Sequence, residues 1–411
     1  MPSSASTVNY AAALTTIWPQ EDVEEQFLTD FWLYAMMPKD TDWDGEARVI
    51  DIIYGATNGR SSTFANAKAN KKQSKVKKMT IFTADEYSLW SVDHKLARLS
   101  RNNKGAVIKA LTQESKSAIE KLKRAVQYKL WGDGGGSCGG AQIGSFSTNN
   151  ITLTDRRKAR MLEEGDVINL AVDNGYTAQA GVKAGTLEVS AVNRKTGVIT
   201  FTQNVTAGIP TAANSDFIFI DGDYAVSLKG VEFYVPSNDP GVSSTPTTIW
   251  GMLRTADPVR LAGLRGSATG LQIQEAIKAI LKEAKNEECK ADTIALNPDN
   301  YLDLELDLGS RVRYVDTKVG NVGFSGIVFT SHGGKTVECY ADPDCPYNTI
   351  RGFDFSGWTF ASPGAFPDFL SMDGGRSLRT EDSTNSGEGR MGGYPQAYTE
   401  RPRDNFVLQI S

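Results

Sequence analysis

One short stretch has the residue types and spacing of a calcium-binding loop. Asp40, Asp42 and Asp44 stand at its first, third and fifth positions, Gly45 at its sixth and Asp51 at its twelfth. Calcium takes six to eight oxygen ligands, and a loop with oxygens at these positions and a glycine at the sixth can supply them. These four aspartates are therefore the candidate metal ligands, and they suggest a calcium-dependent binding or adhesion module.

The surroundings of this stretch favour a plain acidic turn over a metal site. Pro38 stands where the entering helix should end, and residues 52–54 have the pattern of a strand. Asp51 replaces the usual bidentate glutamate, and Ala47 replaces the usual large apolar residue. We expect no bound metal and no cofactor, and the calcium-dependent module is the alternative function.

The chain offers little for acid–base or nucleophilic catalysis. Its two histidines, His94 and His332, have no nucleophile with an orienting acid near them in the sequence. Its four cysteines form no C-x-x-C pair, which argues against a structural zinc site and favours free thiols in a reducing cytosol. We predict that the protein is not an enzyme and has no catalytic residues.

A long basic stretch is the most informative feature of the sequence. No acidic residue occurs between Ile52 and Ala84, although the whole chain has a net charge of −5. The basic residues of the stretch are Arg60, Lys68, Lys71, Lys72, Lys75, Lys77 and Lys78. A polar segment of this kind buries too little apolar surface to fold alone, so it needs a surface to lie on. Nucleic acid and solvent are possible surroundings, but we favour a neighbouring protein surface, because aromatic residues are not interleaved with the lysines.

The elements around the basic stretch can be predicted from residue spacing. Strand-like runs at 49–54 and 79–83 flank it and predict an extended hairpin. Apolar residues at three- and four-residue spacing then predict one long helix over 106–131, which ends in a glycine-rich linker at 132–140. Short β-runs separated by turns over 142–235 predict a small β-barrel or sandwich.

These elements give an α+β fold in seven segments. They are an N-terminal arm (1–37), an extended loop with flanking strands (38–95), a long helix with its linker (96–141), a β-rich insertion (142–235), a linker (236–253), a helix-and-strand domain (254–350) and a C-terminal part (351–411). The aromatic residues near the end of the arm either dock on the same subunit or reach a neighbour. In the sixth segment, Asn297-Pro298 predicts the start of a helix.

The bulk composition excludes several classes of protein. A length of 411 residues allows two or three domains, and the pI near 5.4 gives no global reason to bind nucleic acid. No apolar run approaches the roughly 20 residues that span a bilayer, and no secretory signal precedes residue 16. We therefore expect no membrane partner.

The order of these parts resembles the major capsid proteins of tailed bacteriophages, of the Hong Kong 97 type. Residues 38–95 are similar to the extended loop of that family, 96–131 to its spine helix, 254–350 to its axial domain and 351–411 to the return into its peripheral domain. Residues 295–301, Ala-Leu-Asn-Pro-Asp-Asn-Tyr, are similar to the start of an axial-domain helix. The segment 142–235 resembles the β-rich insertions of some members.

This resemblance implies a shell protein. Copies of the chain would form hexamers and pentamers that close into an icosahedral container for double-stranded DNA. The implied partners are other copies of the chain, a portal, a separate scaffolding protein, a possible cement or decoration protein, and packaged DNA held by weak nonspecific contact. The implied location is the virion, with assembly in the host cytoplasm. Covalent cross-linking is not implied, because no Lys–Asn–Glu set can be matched residue by residue.

Overall fold

The computed structural model describes residues 31–93, 104–176, 180–242, 245–308, 314–319, 322–330, 336–370, 378–380 and 386–410. Most of the predicted N-terminal arm, together with His94 and His332, lies outside these residues. The described chain is α+β, with buried side chains in three clusters, one for each of its main structural units. Its helices include none with the length and apolarity that a bilayer crossing needs.

The described elements follow one another along the chain as helices and short strands. The helices are α1 (Trp32–Met36), α2 (Phe64–Ala69), α3 (Lys104–Trp131), α4 (Val205–Gly208), α5 (Val231–Tyr234), α6 (Pro258–Ala262), α7 (Ile273–Asn286) and α8 (Pro298–Leu308). The strands of the first half are β1 (Lys39–Asp40), β2 (Ala47–Gly55), β3 (Lys75–Phe82), β4 (Glu86–Asp93), β5 (Ser137–Phe146), β6 (Asn150–Leu153), β7 (Val167–Ala171), β8 (Leu187–Asn193), β9 (Val198–Phe201), β10 (Phe217–Ile220), β11 (Thr248–Ile249) and β12 (Met252–Leu253). Those of the second half are β13 (Leu264–Ser267), β14 (Thr293–Leu296), β15 (Tyr314–Val319), β16 (Val322–Thr330), β17 (Thr336–Ala341), β18 (Thr349–Phe353), β19 (Trp358–Ala361), β20 (Asp368–Phe369), β21 (Leu378–Thr380), β22 (Ser386–Gly393), β23 (Gln396–Thr399) and β24 (Phe406–Gln409).

The long helix α3 forms the centre of the first unit. Its buried residues Ile119, Leu122 and Val126 recur every three or four positions, which places them on one face of the helix. The arm end α1 packs on this unit, with Trp32 and Tyr34 buried in the same cluster. Residues 31–37 thus pack on the same subunit, and whether the arm reaches a neighbour stays a prediction.

The barrel follows α3 directly. Six strands close it in the order β10-β5-β6-β9-β8-β7, around an apolar core. The predicted linker differs from the structure, because β5 begins at Ser137. Gly135 and Gly136 serve close backbone approach there: a Cβ on either would lie 1.9 Å from a backbone oxygen, of Asn174 or Asp223 respectively.

A mixed seven-stranded sheet forms the remaining unit. Its order is β13-β24-β18-β14-β17-β16-β15, and the buried face of α7 belongs to the same apolar cluster. Phe406–Gln409, within the segment 351–411 that is predicted to return to the peripheral unit, is the second strand of this sheet and pairs with β13 and β18. The physical reason is burial: Phe406, Val407 and Leu408 are all covered, as a strand with neighbours on both sides requires. Whether the barrel is an insertion, and where the other domains end, stays a prediction.

Candidate assembly surface

The basic stretch folds back as a two-stranded antiparallel hairpin. Strands β2 and β3 pair from Ala47 opposite Phe82 to Gly55 opposite Lys75, and α2 lies in the connection between them. We call residues 47–82 the basic hairpin. Its sheet contains these two strands alone among the described elements, and an isolated pair of strands is marginally stable in water.

The base of the basic hairpin is fixed to the body of the subunit. Met79 and Ile81 are fully buried in the cluster around α3. The backbone N–H of Thr80 donates to the carbonyl oxygen of Trp250 at 3.0 Å, and farther along β2, toward the tip, Nη1 of Arg260 donates to the carbonyl oxygen of Tyr54 at 2.8 Å. These contacts set the direction in which the hairpin leaves the body.

Apolar side chains lie in solvent along the basic hairpin, from its base to its tip. Phe64 is 84% exposed, Ile53 is 71% exposed and Val49 is 57% exposed, and α2 has no buried residue. A solvent-exposed phenylalanine on a two-stranded arm has no stabilising role within this subunit. A surface that combines exposed apolar side chains with charged ones is typical of a protein interaction surface.

The seven predicted contact residues all lie on this arm. Arg60, Phe64, Lys68, Lys71 and Lys72 line one open cleft at its tip. The other three, Lys75, Lys77 and Lys78, lie in β3. Lys77 is half-buried and the other six are exposed, and none of the seven has an ion-pair partner within the described part of the chain. Their role in contacts between subunits stays a prediction.

The four candidate metal ligands do not converge. Asp40 lies in β1 and accepts a hydrogen bond from Nη1 of Arg48, and this bond holds the pKa of the Asp40 carboxyl below its usual value. Asp51 lies in β2 directly opposite Lys78, while Asp42 and Asp44 lie in the exposed turn between β1 and β2. Among the described residues, no group of three or more His, Cys, Asp or Glu side chains could hold a metal ion.

The helix that starts after Asn297 has a surface that is partly acidic and partly apolar. The Oδ1 atom of Asn297 caps α8 by accepting from the backbone N–H of Asp299 at 3.2 Å. Leu304 is buried, whereas Leu302 and Leu306 are exposed by 54% and 70%. Asp303 and Asp307 lie beside them and are also exposed, so this surface of α8 combines acidic and apolar groups.

A buried ion cluster joins the first unit, centred on α3, to the barrel, and residue spacing alone did not predict it. Nζ of Lys129 lies 2.8 Å from Oε1 of Glu86 in β4 and 3.1 Å from Oδ2 of Asp223 after β10. Burial works against the charge, but the two carboxylates hold the pKa of Lys129 above its usual value. A signal was present: Lys129 stands three and seven residues after Val126 and Leu122, on the buried face of α3.

Comparisons with known proteins identify the fold. No protein-family model matches the sequence, and no curated protein matches it. Among solved structures, the chain is similar to the cyanophage A-1(L) capsid asymmetric unit, with 12% identity, a TM-score of 0.51 and coverage of 92% of this chain and 91% of that one.

Two further structures align over similar lengths. The capsid of a native GTA particle matches at 8% identity and a TM-score of 0.44, over 91% of this chain and 88% of that one. The holo-SrpI encapsulin complex of Synechococcus elongatus PCC 7942 matches at 8% identity and a TM-score of 0.44, over 93% of this chain and 88% of that one. At these identities the likeness shows the fold alone. The predicted α+β capsid fold is confirmed by the cyanophage match, and the Hong Kong 97 type fits it.

Proposed function

We propose that this chain, which folds like the cyanophage A-1(L) capsid chain, is the major capsid protein of a tailed bacteriophage. The observation that carries the proposal is the combination of that fold with the basic hairpin. The hairpin is held at its base and extends Phe64, Ile53 and six exposed cations away from the body. In this proposal the protein has a structural role and no catalytic one.

The basic hairpin supplies the contact between subunits. It lies across an acidic surface of the next copy, the α8 surface around Asp303 and Asp307. Its apolar side chains lose water on contact, at roughly 25 cal/mol per Å² of apolar area. The lysines orient the approach more than they add affinity, because exposed ion pairs are worth about 1 kcal/mol or less.

Many such contacts close the shell. Each copy both gives a hairpin and receives one, so hexamers and pentamers form rings whose interfaces reinforce one another. The shell encloses double-stranded DNA, held by weak nonspecific contact. A portal and a separate scaffolding protein take part in assembly, and a cement or decoration protein is a possible addition. The mature location is the virion.

Electron microscopy of the purified recombinant chain tests this proposal. We expect rings or closed shells of uniform size once the protein concentration passes a threshold, either alone or with its scaffolding protein. Particles that remain single subunits under both conditions would contradict a shell-forming role.

A calcium titration by calorimetry in the same preparation examines the alternative module, which requires saturable binding at Asp40, Asp42, Asp44 and Asp51.

A further inference from the structure

Trp250 is held in a backbone conformation that tryptophan rarely adopts. With Gly251 it forms the two-residue turn between β11 and β12, and the φ angles of these two residues are 47° and 79°. A hairpin turn of this kind needs positive φ at both positions, and it is usually built from asparagine and glycine. A residue with a bulky side chain is strained there, so the contacts that Trp250 makes must outweigh the strain.

Trp250 connects the base of the basic hairpin to the body of the subunit through both its backbone and its ring. On the hairpin side, its carbonyl oxygen accepts from the N–H of Thr80 at 3.0 Å, and its ring centre lies 5.7 Å from that of Phe82. On the body side, its Nε1 donates to the hydroxyl oxygen of Tyr234 at 3.0 Å, and its ring centre lies 5.6 Å from that of Phe233. One side chain therefore bridges β3 and α5.

The two sides of this bridge differ in how firmly they are held. Phe233 and Tyr234 are buried in the cluster around α3, and Trp250 packs against that cluster. Phe82, in contrast, is 43% exposed and stands at the end of β3, opposite Ala47. The body therefore supplies a fixed support, and Trp250 transmits it to a pair of strands that is only marginally stable alone.

We propose that Trp250 is a positioning residue that fixes the angle at which the basic hairpin leaves the body. Thr80 lies between the fully buried Met79 and Ile81, so the bond at Thr80 holds β3 where it leaves the core. From Thr80 to Lys75 the strand extends for about 17 Å at 3.3 Å per residue, so a small change of angle moves the tip far. In assembly this angle decides where the tip meets the next copy; that consequence rests on the proposed function, whereas the angle itself does not.

Electron–electron distance measurements on the full-length, unassembled subunit test this assignment. Spin labels are placed at Lys75→Cys, at the end of β3, and at Lys278→Cys on α7, both exposed, and Cys289→Ser removes the half-buried native thiol. The test variant is Trp250→Asn, which suits the turn but lacks the ring, and the matched control is Thr248→Asn at an exposed position of β11. We expect a distance distribution about twofold wider in Trp250→Asn, because the hairpin then samples more orientations, and an unchanged width in the control.

Hydrogen–deuterium exchange at the amide of Thr80 gives a second readout on the same subunits. We expect exchange about tenfold faster in Trp250→Asn, with α7 unchanged as the internal reference. Asparagine relieves the strain of the turn, so faster exchange at Thr80 cannot be attributed to a weaker turn. Both measurements use unassembled subunits, so a failure to form shells would contradict the proposed function and leave this result standing.

Two outcomes would overturn the assignment. One is an unchanged distance distribution together with unchanged Thr80 exchange in Trp250→Asn. The other is equal broadening in Thr248→Asn, which would mean that any change in β11 loosens the hairpin. If Trp250→Asn does not fold, Phe82→Ser removes the same ring contact from the hairpin side at a 43% exposed position. It should also broaden the distribution, and an unchanged width in Phe82→Ser would count equally against the role of Trp250.

Discussion

Lys129 carries a charge inside the molecule and is held there by Glu86 and Asp223. Both Lys129 and Glu86 are 5% exposed, so neither can regain water when its partner is removed. We predict that Lys129→Ala lowers the free energy of unfolding by about 3–5 kcal/mol, because it leaves Glu86 buried without its countercharge. Chemical denaturation of the unassembled subunit measures this loss.

A double variant distinguishes the effect of an unpaired charge on stability from the effect of lost packing. Lys129→Met with Glu86→Leu removes both charges and keeps apolar volume, so its loss should be clearly smaller than that of Lys129→Ala. Equal losses in the two variants would show that the ion pair is not the reason for the effect.

Asp342 makes the stability of the subunit depend on pH. The carboxyl group is 1% exposed, and burial together with the nearby Asp344 raises its pKa from 3.8 to about 7. Gln127 and Trp131 donate hydrogen bonds to its Oδ2 at 2.9 and 3.3 Å, which only partly offsets burial. The folded chain therefore binds more protons than the unfolded chain between about pH 4 and 7. Because of this group, the free energy of unfolding falls as the pH rises from about 4 to about 7.

The variant Asp342→Asn should flatten this dependence. Thermal unfolding at several pH values between 4 and 8 measures the slope, and Asp303→Asn, a change at an exposed acid of α8, is the matched control. A slope in Asp342→Asn as steep as in the unaltered chain and the control would assign the pH dependence to other groups.

At the scale of elements, the basic hairpin is the part that a single subunit leaves incomplete. We predict that changing its lysines to glutamine leaves the unfolding transition nearly unchanged but lowers the yield of shells. The reason is that four of these side chains lie in solvent, and the fifth, Lys77, is half-buried, until a neighbour covers them. The five positions are Lys71, Lys72, Lys75, Lys77 and Lys78. Sedimentation and electron microscopy measure the yield.

A charge-matched control makes this prediction specific. Changing Lys71, Lys72 and Lys75 to glutamine removes three charges from the hairpin, and changing Lys278, Lys282 and Lys285 removes three exposed charges from α7. The first set should reduce assembly more than the second. Normal shell yield from the five-lysine variant would count against a role of these charges in assembly.

Phe64 tests the apolar contribution of the same element. Because it is 84% exposed, Phe64→Ser should change the stability of the subunit by no more than about 0.5 kcal/mol. Burial of a phenylalanine against a neighbour is worth about 1.5–3 kcal/mol, so the concentration needed for assembly should rise about tenfold or more. Val242→Ser, at a 53% exposed site outside the hairpin, is the control. An unchanged threshold in Phe64→Ser would place the contact elsewhere.

At the scale of the whole molecule, helices and strands with a strong periodic pattern could be predicted from the sequence. The elements that each of them pairs with or packs on could not. The helix predicted over 106–131 spans 104–131, and the strand predicted over 49–54 lies within Ala47–Gly55. The place of β24 in the seven-stranded sheet could not be predicted. Pairing of β24 with β13 joins residues about 140 apart, and residue spacing contains no information about such a contact.

In the candidate site, too, the features that are local in sequence could be predicted, and those that depend on tertiary contacts could not. The basic stretch predicted a hairpin because charge and strand pattern are local properties. The calcium-loop spacing at Asp40–Asp51 was also local, but β2 carries Asp51 away to a position opposite Lys78. The cluster of Lys129, Glu86 and Asp223 required knowledge of which elements meet. Local sequence therefore identified the exposed arm, and the tertiary structure was needed to find the ion cluster.

The central claim is that the outer part of the basic hairpin becomes protected only on another copy of the chain. Hydrogen–deuterium exchange at residues 56–76 measures this directly, in assembled shells and in subunits dissociated from them. We predict exchange at least tenfold slower in shells than in subunits, with α7 as an internal reference that changes little. Equal exchange rates at 56–76 in the two states would contradict the claim.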